Sequence, residues 1–185
     1  MFTGKWQELR RKRYLKRNGT EGYWEYAVNV DPAPRQLETC GVDAFSIYKK
    51  QLITVTVFRY PLNSYCLEVP SGRADASDTD PKDVATRELK EETGYTAGPE
   101  HCELMGDPLP VDPWKSTETS QFVVVQVPDS PENAQPMQNL EADEVIAVHL
   151  FPIEDLLSHV QRFCEEHQCL LDVRLYLFAL GLAGG

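Results

Sequence analysis

Residues 80–95 read Asp80-Pro81-Lys82-Asp83-Val84-Ala85-Thr86-Arg87-Glu88-Leu89-Lys90-Glu91-Glu92-Thr93-Gly94-Tyr95, and this stretch decides the fold. Asp80 can accept from the first free amides of a helix, and Pro81 at the first helical position loses no needed donor. Gly94 supplies a stop. The pattern predicts a helix from Pro81 to about Thr93. At roughly 100° per residue, Glu88, Glu91 and Glu92 fall within an arc of roughly 100° on one side of it. Like charges three and four apart cost about 0.2–0.5 kcal/mol per pair, and Arg87 is spaced to offset Glu91 alone. A bound hard cation, Mg²⁺ or Mn²⁺, would remove the conflict and keep positions open for phosphate oxygens. A solvated acidic face is the plainer reading of the same charges.

Outward from that helix, the segments are strands and helices in irregular alternation. Trp6 to Leu15 and Tyr23 to Val30 read as a hairpin turned at Asn18-Gly19. Val42 to Tyr48 and Leu52 to Phe58 are rich in β-branched and aromatic residues, as core strands are, and a short strand follows at Leu67 to Val69. Downstream come a buried strand at Phe122 to Val127, a long polar loop from Pro128 to Asp143, and a strand from Val145 to Leu150. Two helices close the chain, an amphipathic one from about Pro152 to Glu166 and a more apolar one from about Asp172 to Leu182. This order suggests an α+β or α/β sandwich on a mixed sheet.

The chain has 185 residues, 42% of them hydrophobic, which suits one domain with one sizeable core. It contains no apolar run of the roughly 20 residues a membrane span needs. Cys40, Cys66, Cys102, Cys164 and Cys169 are an odd set without a CxxC pair, which fits reduced thiols. A soluble cytoplasmic protein is expected, with the nucleus as the alternative. The net charge of −11 argues against a general nucleic-acid binder, and neither a membrane nor a nucleic-acid partner is expected. Seven of the eighteen basic residues nevertheless lie in the first seventeen positions, as a solvated strand face or as attraction for an anionic partner. Cys164, His167 and Cys169 lie close in sequence but lack an evident fourth ligand, so no metal site is assigned to them.

Gly72 followed by Arg87-Glu88-Leu89-x-Glu91-Glu92-x-Gly94 closely resembles the Nudix hydrolase signature, G-x5-E-x7-R-E-U-x-E-E-x-G-U, where U is bulky and apolar. The second half matches through Gly94. In the first half, Gly72 to Arg87 is one residue longer than the pattern, and the early Glu is missing, with Asp78 as its replacement. The final U is Tyr95. Further stretches, GKW at 4–6, YWE at 23–25, FRYP at 58–61, YCLEVPSG at 65–72, VDP at 111–113 and ADEVIAV at 142–148, are similar to the ADP-ribose and ADP-sugar pyrophosphatases of that family.

The resemblance implies an α+β fold of α/β/α sandwich type, with a mixed central sheet and an N-terminal β-hairpin extension. It implies a hairpin over 1–30 serving dimerisation and adenine binding, and a hydrolase domain over 31–185. The implied metal ligands for Mg²⁺, or Mn²⁺, are Glu88, Glu92, the auxiliary Glu91, the Ser71 carbonyl and Glu144. Trp6 and Trp24 would sandwich adenine from the two subunits of a homodimer, a contact type worth about 1–3 kcal/mol per base. Glu25 would receive adenine hydrogen bonds, Arg59 would meet the diphosphate, Arg73 would touch substrate and Asp112 would contact the terminal ribose. Asn29 and Trp114 depart from the Arg and Gly usual in these enzymes. The implied reaction is attack of water on a diphosphate phosphorus, with Glu144 as base and Glu91 assisting, and Glu141 and Asp143 as rivals to Glu144. AMP and a sugar 5-phosphate would result. Loop mobility would carry Glu144 to the site. A UDP-sugar, a dinucleotide or an oxidised nucleotide is the alternative substrate, and a silent nucleotide-binding module the alternative from another class.

Overall fold

A computed structural model describes residues 3–5, 7–30, 41–75, 78–140, 142 and 144–184. The first two strands, β1 (Gln7–Leu15) and β2 (Glu21–Asn29), form an antiparallel two-stranded sheet of their own. Gly19 turns the hairpin at φ 81°, a conformation only glycine adopts without strain, and the Asn18 side chain accepts from the Thr20 amide. Two of the basic residues pair across the hairpin: Arg11 reaches Glu25 at 2.8 Å and Arg13 reaches Glu21 at 2.9 Å. Both strands are exposed on their two faces apart from a few positions.

The remaining strands build one mixed sheet. Its members are β3 (Gly41–Tyr48), β4 (Gln51–Arg59), β5 (Ser64–Glu68), β6 (Ser71–Gly72), β7 (Cys102–Leu104), β8 (Leu109–Pro110), β9 (Thr119–Gln126), β10 (Ile146–Pro152) and β11 (Leu170–Leu171). The main path runs β11-β5-β4-β3-β9-β7, with β10 on β4, β6 on β3 and β8 on β9. β3 runs parallel to β9 and β11 parallel to β5, while β4 is antiparallel to its neighbours. β3, β4 and β9 read as near-continuous apolar runs because helices cover both sheet faces.

α1 (Pro81–Thr93) covers one face, where Val84, Ala85 and Leu89 pack with Val42, Ala44, Ile53, Val123 and Val125. α2 (Leu156–His167) and α3 (Val173–Ala183) cover the other, where Leu156, Val160 and Leu175 meet Phe45, Leu52 and Leu67. Alternation along β3 explains the division, since Val42 and Ala44 face α1 while Asp43 and Phe45 face α3. The fold is the expected α/β/α sandwich. Its α1 matches the sequence prediction at both ends: Asp80 and Asp83 close a capping box, and Gly94 caps at φ 79°. The short strands β6, β7, β8 and β11 carry too few residues to leave a periodic signal in the sequence.

The loop after β9 differs from the expectation of a mobile connection. Buried Asn133 donates to the Thr96 and Pro128 carbonyls and accepts from the Thr96 amide at 2.7 Å. Gln138 donates to the Glu92 and Ile146 carbonyls, and the Asn139 amide donates to the Glu91 carbonyl at 2.9 Å. Polar residues that read as loop solvation in sequence are instead used to bind the loop to the last turn of α1. A Cβ at Gly94 would lie 2.3 Å from the Met137 amide nitrogen, so the packing needs a glycine there.

Candidate active site

The acid-bearing face of α1 rises beside β6. Glu92 is 8% exposed and accepts from the Ser71 amide at 3.1 Å. Burial pushes its carboxyl up to about 8; the neighbouring Glu88 and Glu144 add to this, and the Ser71 amide and Arg59 work against it. Glu88, one turn earlier, is also held above the ordinary carboxylate range, chiefly by burial, with Arg87 opposing and Glu91 and Glu144 adding. Gly72 leaves the space that the Glu88 carboxylate occupies: a Cβ there would lie 1.8 Å from a Glu88 carboxylate oxygen, which would have to swing aside.

Arg87 does more than its helical spacing suggested. Its Nη1 donates to Glu88 at 2.8 Å as well as to Glu91 at 3.1 Å, and its Nη2 donates to the Arg73 carbonyl and to Asp78. Asp78 is 5% exposed and also accepts from the Asp75 amide. This acid braces the lengthened loop from within, although the chain has no Glu at the early signature position. The guanidinium therefore ties the loop, the helix and two of the three acids together.

A cleft of about 490 Å³ opens beside this face, lined by Arg59, Tyr60, Tyr65, Ser71, Glu92 and Glu144 among others. Glu144 stands at its mouth without any displacement of the loop, which the anchoring by Gln138 and Asn139 explains. Arg59 lies on the same wall, with its Nε and Nη2 both given to Glu68. In the sequence Glu68 carries no signal of this pairing beyond being an acid embedded between Leu67 and Val69.

The other expected site residues lie apart from this cleft. Trp24 is 50% exposed on β2, with its indole N–H donating to the Trp114 carbonyl at 2.8 Å. Glu25 follows it on the opposite face of the strand and pairs with Arg11. Asp112 opens the turn that holds the hairpin, where Ala27 exchanges backbone hydrogen bonds with Lys115 and Thr117; its carboxylate is 3.7 Å from the Lys115 ammonium. Arg73 is exposed beside the signature glycine. Trp6, Glu141 and Asp143 fall outside the described residues.

Among the described residues, no three acidic, His or Cys side chains are already gathered at metal-ligand distances. The donor set nonetheless suits a hard divalent ion. Glu88 and Glu92 are oxygen donors in mutual repulsion on one buried face, and the glycine at 72 leaves room beside Glu88.

This sandwich, with an acid-lined helix beside a glycine loop, defines a Nudix domain, and the family model for the NUDIX domain matches residues 40–172. The chain belongs to the Nudix hydrolase family. It is 31% identical over 98% of its length to a Caenorhabditis elegans protein named as a nudix hydrolase, covering 82% of that protein. It is 28% identical to the ADP-sugar pyrophosphatase of Mus musculus, over 97% of this chain and 82% of the relative. It is 32% identical to the ADP-ribose pyrophosphatase of Saccharomyces cerevisiae, over 81% of this chain and 68% of the relative. In three dimensions it resembles a crystal structure titled ADP compounds hydrolase, with TM-score 0.68 and 19% identity, covering all of this chain and 88% of the other.

Proposed function

We propose that this chain hydrolyses the diphosphate of ADP-ribose or a related ADP-sugar, releasing AMP and a sugar 5-phosphate. The observation that carries the reading is the convergence of Glu92, Glu144 and Arg59 on one cleft, with Glu88 within electrostatic reach. An acid patch facing a guanidinium suits a linked pair of phosphates bridged to divalent cations. Full-length similarity to enzymes named for ADP-sugars and ADP-ribose supports the nucleotide.

In this reading Glu88, Glu92 and the Ser71 carbonyl hold Mg²⁺ or Mn²⁺, with Glu91 and Glu144 completing the set. The metal, when bound, neutralises charge on the phosphates and acidifies a water. Glu144 takes the proton from the attacking water, and its exposed place at the cleft mouth leaves it free to pass that proton to solvent. Arg59 steadies the diphosphate, and Arg73 and Asp112 contact the sugar side. Glu92 is the most buried of the three helix acids, and a cation beside it would favour its charged form, which couples the active ionisation state to the metal.

The half-exposed indole of Trp24, fixed by its bond to Trp114, offers a face on which adenine stacks. Trp6 and Glu25 complete the base contacts in a homodimer formed through residues 1–30. The protein is proposed to act in the cytoplasm. AMP release from ADP-ribose, with and without Mg²⁺ and with Glu92→Gln as control, tests the assignment. Metal-dependent AMP release that the variant lacks is expected; turnover of UDP-sugars or dinucleotides in its place would reassign the substrate.

A further inference from the structure

β5 ends on Glu68, an acid only 3% exposed between Leu67 at 0% and Val69 at 2%. A carboxylate in such surroundings is strongly disfavoured unless its oxygens are satisfied. Arg59 satisfies both: Nε donates to Oε1 at 2.7 Å and Nη2 donates to Oε2 at 2.5 Å. The register of β4 and β5 makes this possible, since Val55 is opposite Glu68 and Arg59 opposite Ser64, so the long Arg side chain reaches back along the sheet to meet the acid.

Neutralising Glu68 is a poor explanation for the pairing by itself. Arg174 lies near enough to act electrostatically on both Glu68 and Arg59, while its own guanidinium is engaged by Asp43 at 2.9 Å and by Asp172 at 3.0 Å. Three acids and two guanidiniums thus share this region, so a neutral side chain at 68 would relieve an excess of negative charge. The pairing does fix the direction of Arg59. Two-point contact on the Nε and Nη2 edge sets the plane of the guanidinium and leaves the Nη1 end clear of Glu68, on a side chain that lines the cleft with Ser71, Glu92 and Glu144. An unrestrained Arg has rotamer entropy to lose, part of which substrate binding would otherwise have to overcome.

We propose that Glu68 is a positioning residue, which holds Arg59 so that its free guanidinium end meets the substrate diphosphate across the cleft from Glu92 and Glu144. The proposal rests on the reading of Arg59 as the diphosphate contact, and the test separates the two. Steady-state kinetics are measured for the wild type, Arg59→Ala, Glu68→Gln and the double variant, with melting temperatures alongside. The substrate is ADP-ribose, or another nucleoside diphosphate derivative that the wild type turns over if ADP-ribose is inert.

Glu68→Gln keeps the shape but weakens one arm of the clamp, and KM is expected to rise about tenfold with a smaller fall in kcat. In the Arg59→Ala background the same change is expected to add less than about twofold, because a residue acting only through Arg59 has nothing left to position. Wild-type kinetics for Glu68→Gln, or full multiplicative effects in the double variant, would overturn the proposal. Silence of Arg59→Ala would overturn it together with the diphosphate role of Arg59, whereas inert ADP-ribose would overturn only the choice of substrate. Should Glu68→Gln fail to fold, Glu68→Asp retains the charge but retracts it by one methylene; the same KM rise is expected, and an unchanged KM counts against the proposal.

Discussion

Helix α1 and the β1–β2 hairpin both carry residues assigned to the site, yet they are held by different means. α1 is capped at both ends, buries Val84, Ala85 and Leu89 against the sheet, and is tied by Arg87 to the preceding loop and by Gln138 and Asn139 to the following one. The hairpin is a two-stranded sheet exposed over most of β1 and half-buried from Tyr26 to Asn29 on β2, with hydrogen bonds to the rest among the described residues at Ala27 and Trp24. Isolated hairpins are marginal in water, so this one depends on what covers it. Metal-ligand geometry tolerates errors of only a few tenths of an ångström and needs a rigid frame, whereas an aromatic face stacking on a base tolerates more.

The contrast is broken most severely at Glu92. Glu92→Gln is expected to lower kcat by about a thousandfold, as loss of a central charge-stabilising group does. The same change should stabilise the metal-free protein at high pH. The Glu92 carboxyl sits at about 8 when folded against an ordinary 4.5, so the folded state retains a proton that the unfolded chain gives up. That contribution is full below about 4.5 and is lost as pH rises through about 8. Thermal melts with chelator should therefore show the variant melting above wild type near pH 9, with the gap narrowing through pH 6 and closing only below about 4.5. A gap independent of pH would contradict the burial argument.

A milder break lies at Gly72. Alanine there puts a methyl on the Glu88 carboxylate, whose flexible end can swing aside. Activity is expected to fall about a hundredfold with the melting temperature almost kept, because a displacement near 1 Å is enough to disable a site. Kinetics and melting on the same preparation decide it.

The hairpin should respond in the opposite sense. Trp24→Ala is expected to raise KM about tenfold and leave kcat within about twofold, since stacking binds ground and transition states alike. A kcat loss without a KM change would move Trp24 out of base recognition. Smallest of all, Arg11→Ala removes an exposed cross-strand pair and should change stability by less than about 0.5 kcal/mol in urea unfolding.

Much of α1 could be read directly. Its cap, its stop and its row of acids are local properties, encoded within sixteen consecutive residues whose spacing obeys one helical period. The long strands followed from apolar runs for the same reason. Glu68 could not be read, because its partner Arg59 is brought beside it by the β4–β5 register. Arg87 reaching Asp78, and Asn133 fastening the long loop to Thr96, equally join positions whose separation in sequence carries no periodic signal.

The sequence by itself determined the helix with its acids, the long strands of the sheet it covers, and the family to which both belong, since all three rest on residue type and local spacing. Only the tertiary structure decided that Glu92 is buried enough to resist ionisation, that Glu144 stands at the cleft on an anchored loop, and that Arg59 is aimed by Glu68. Burial and side-chain pairing across strands depend on which segments lie together, a property of the packed chain that no short stretch contains.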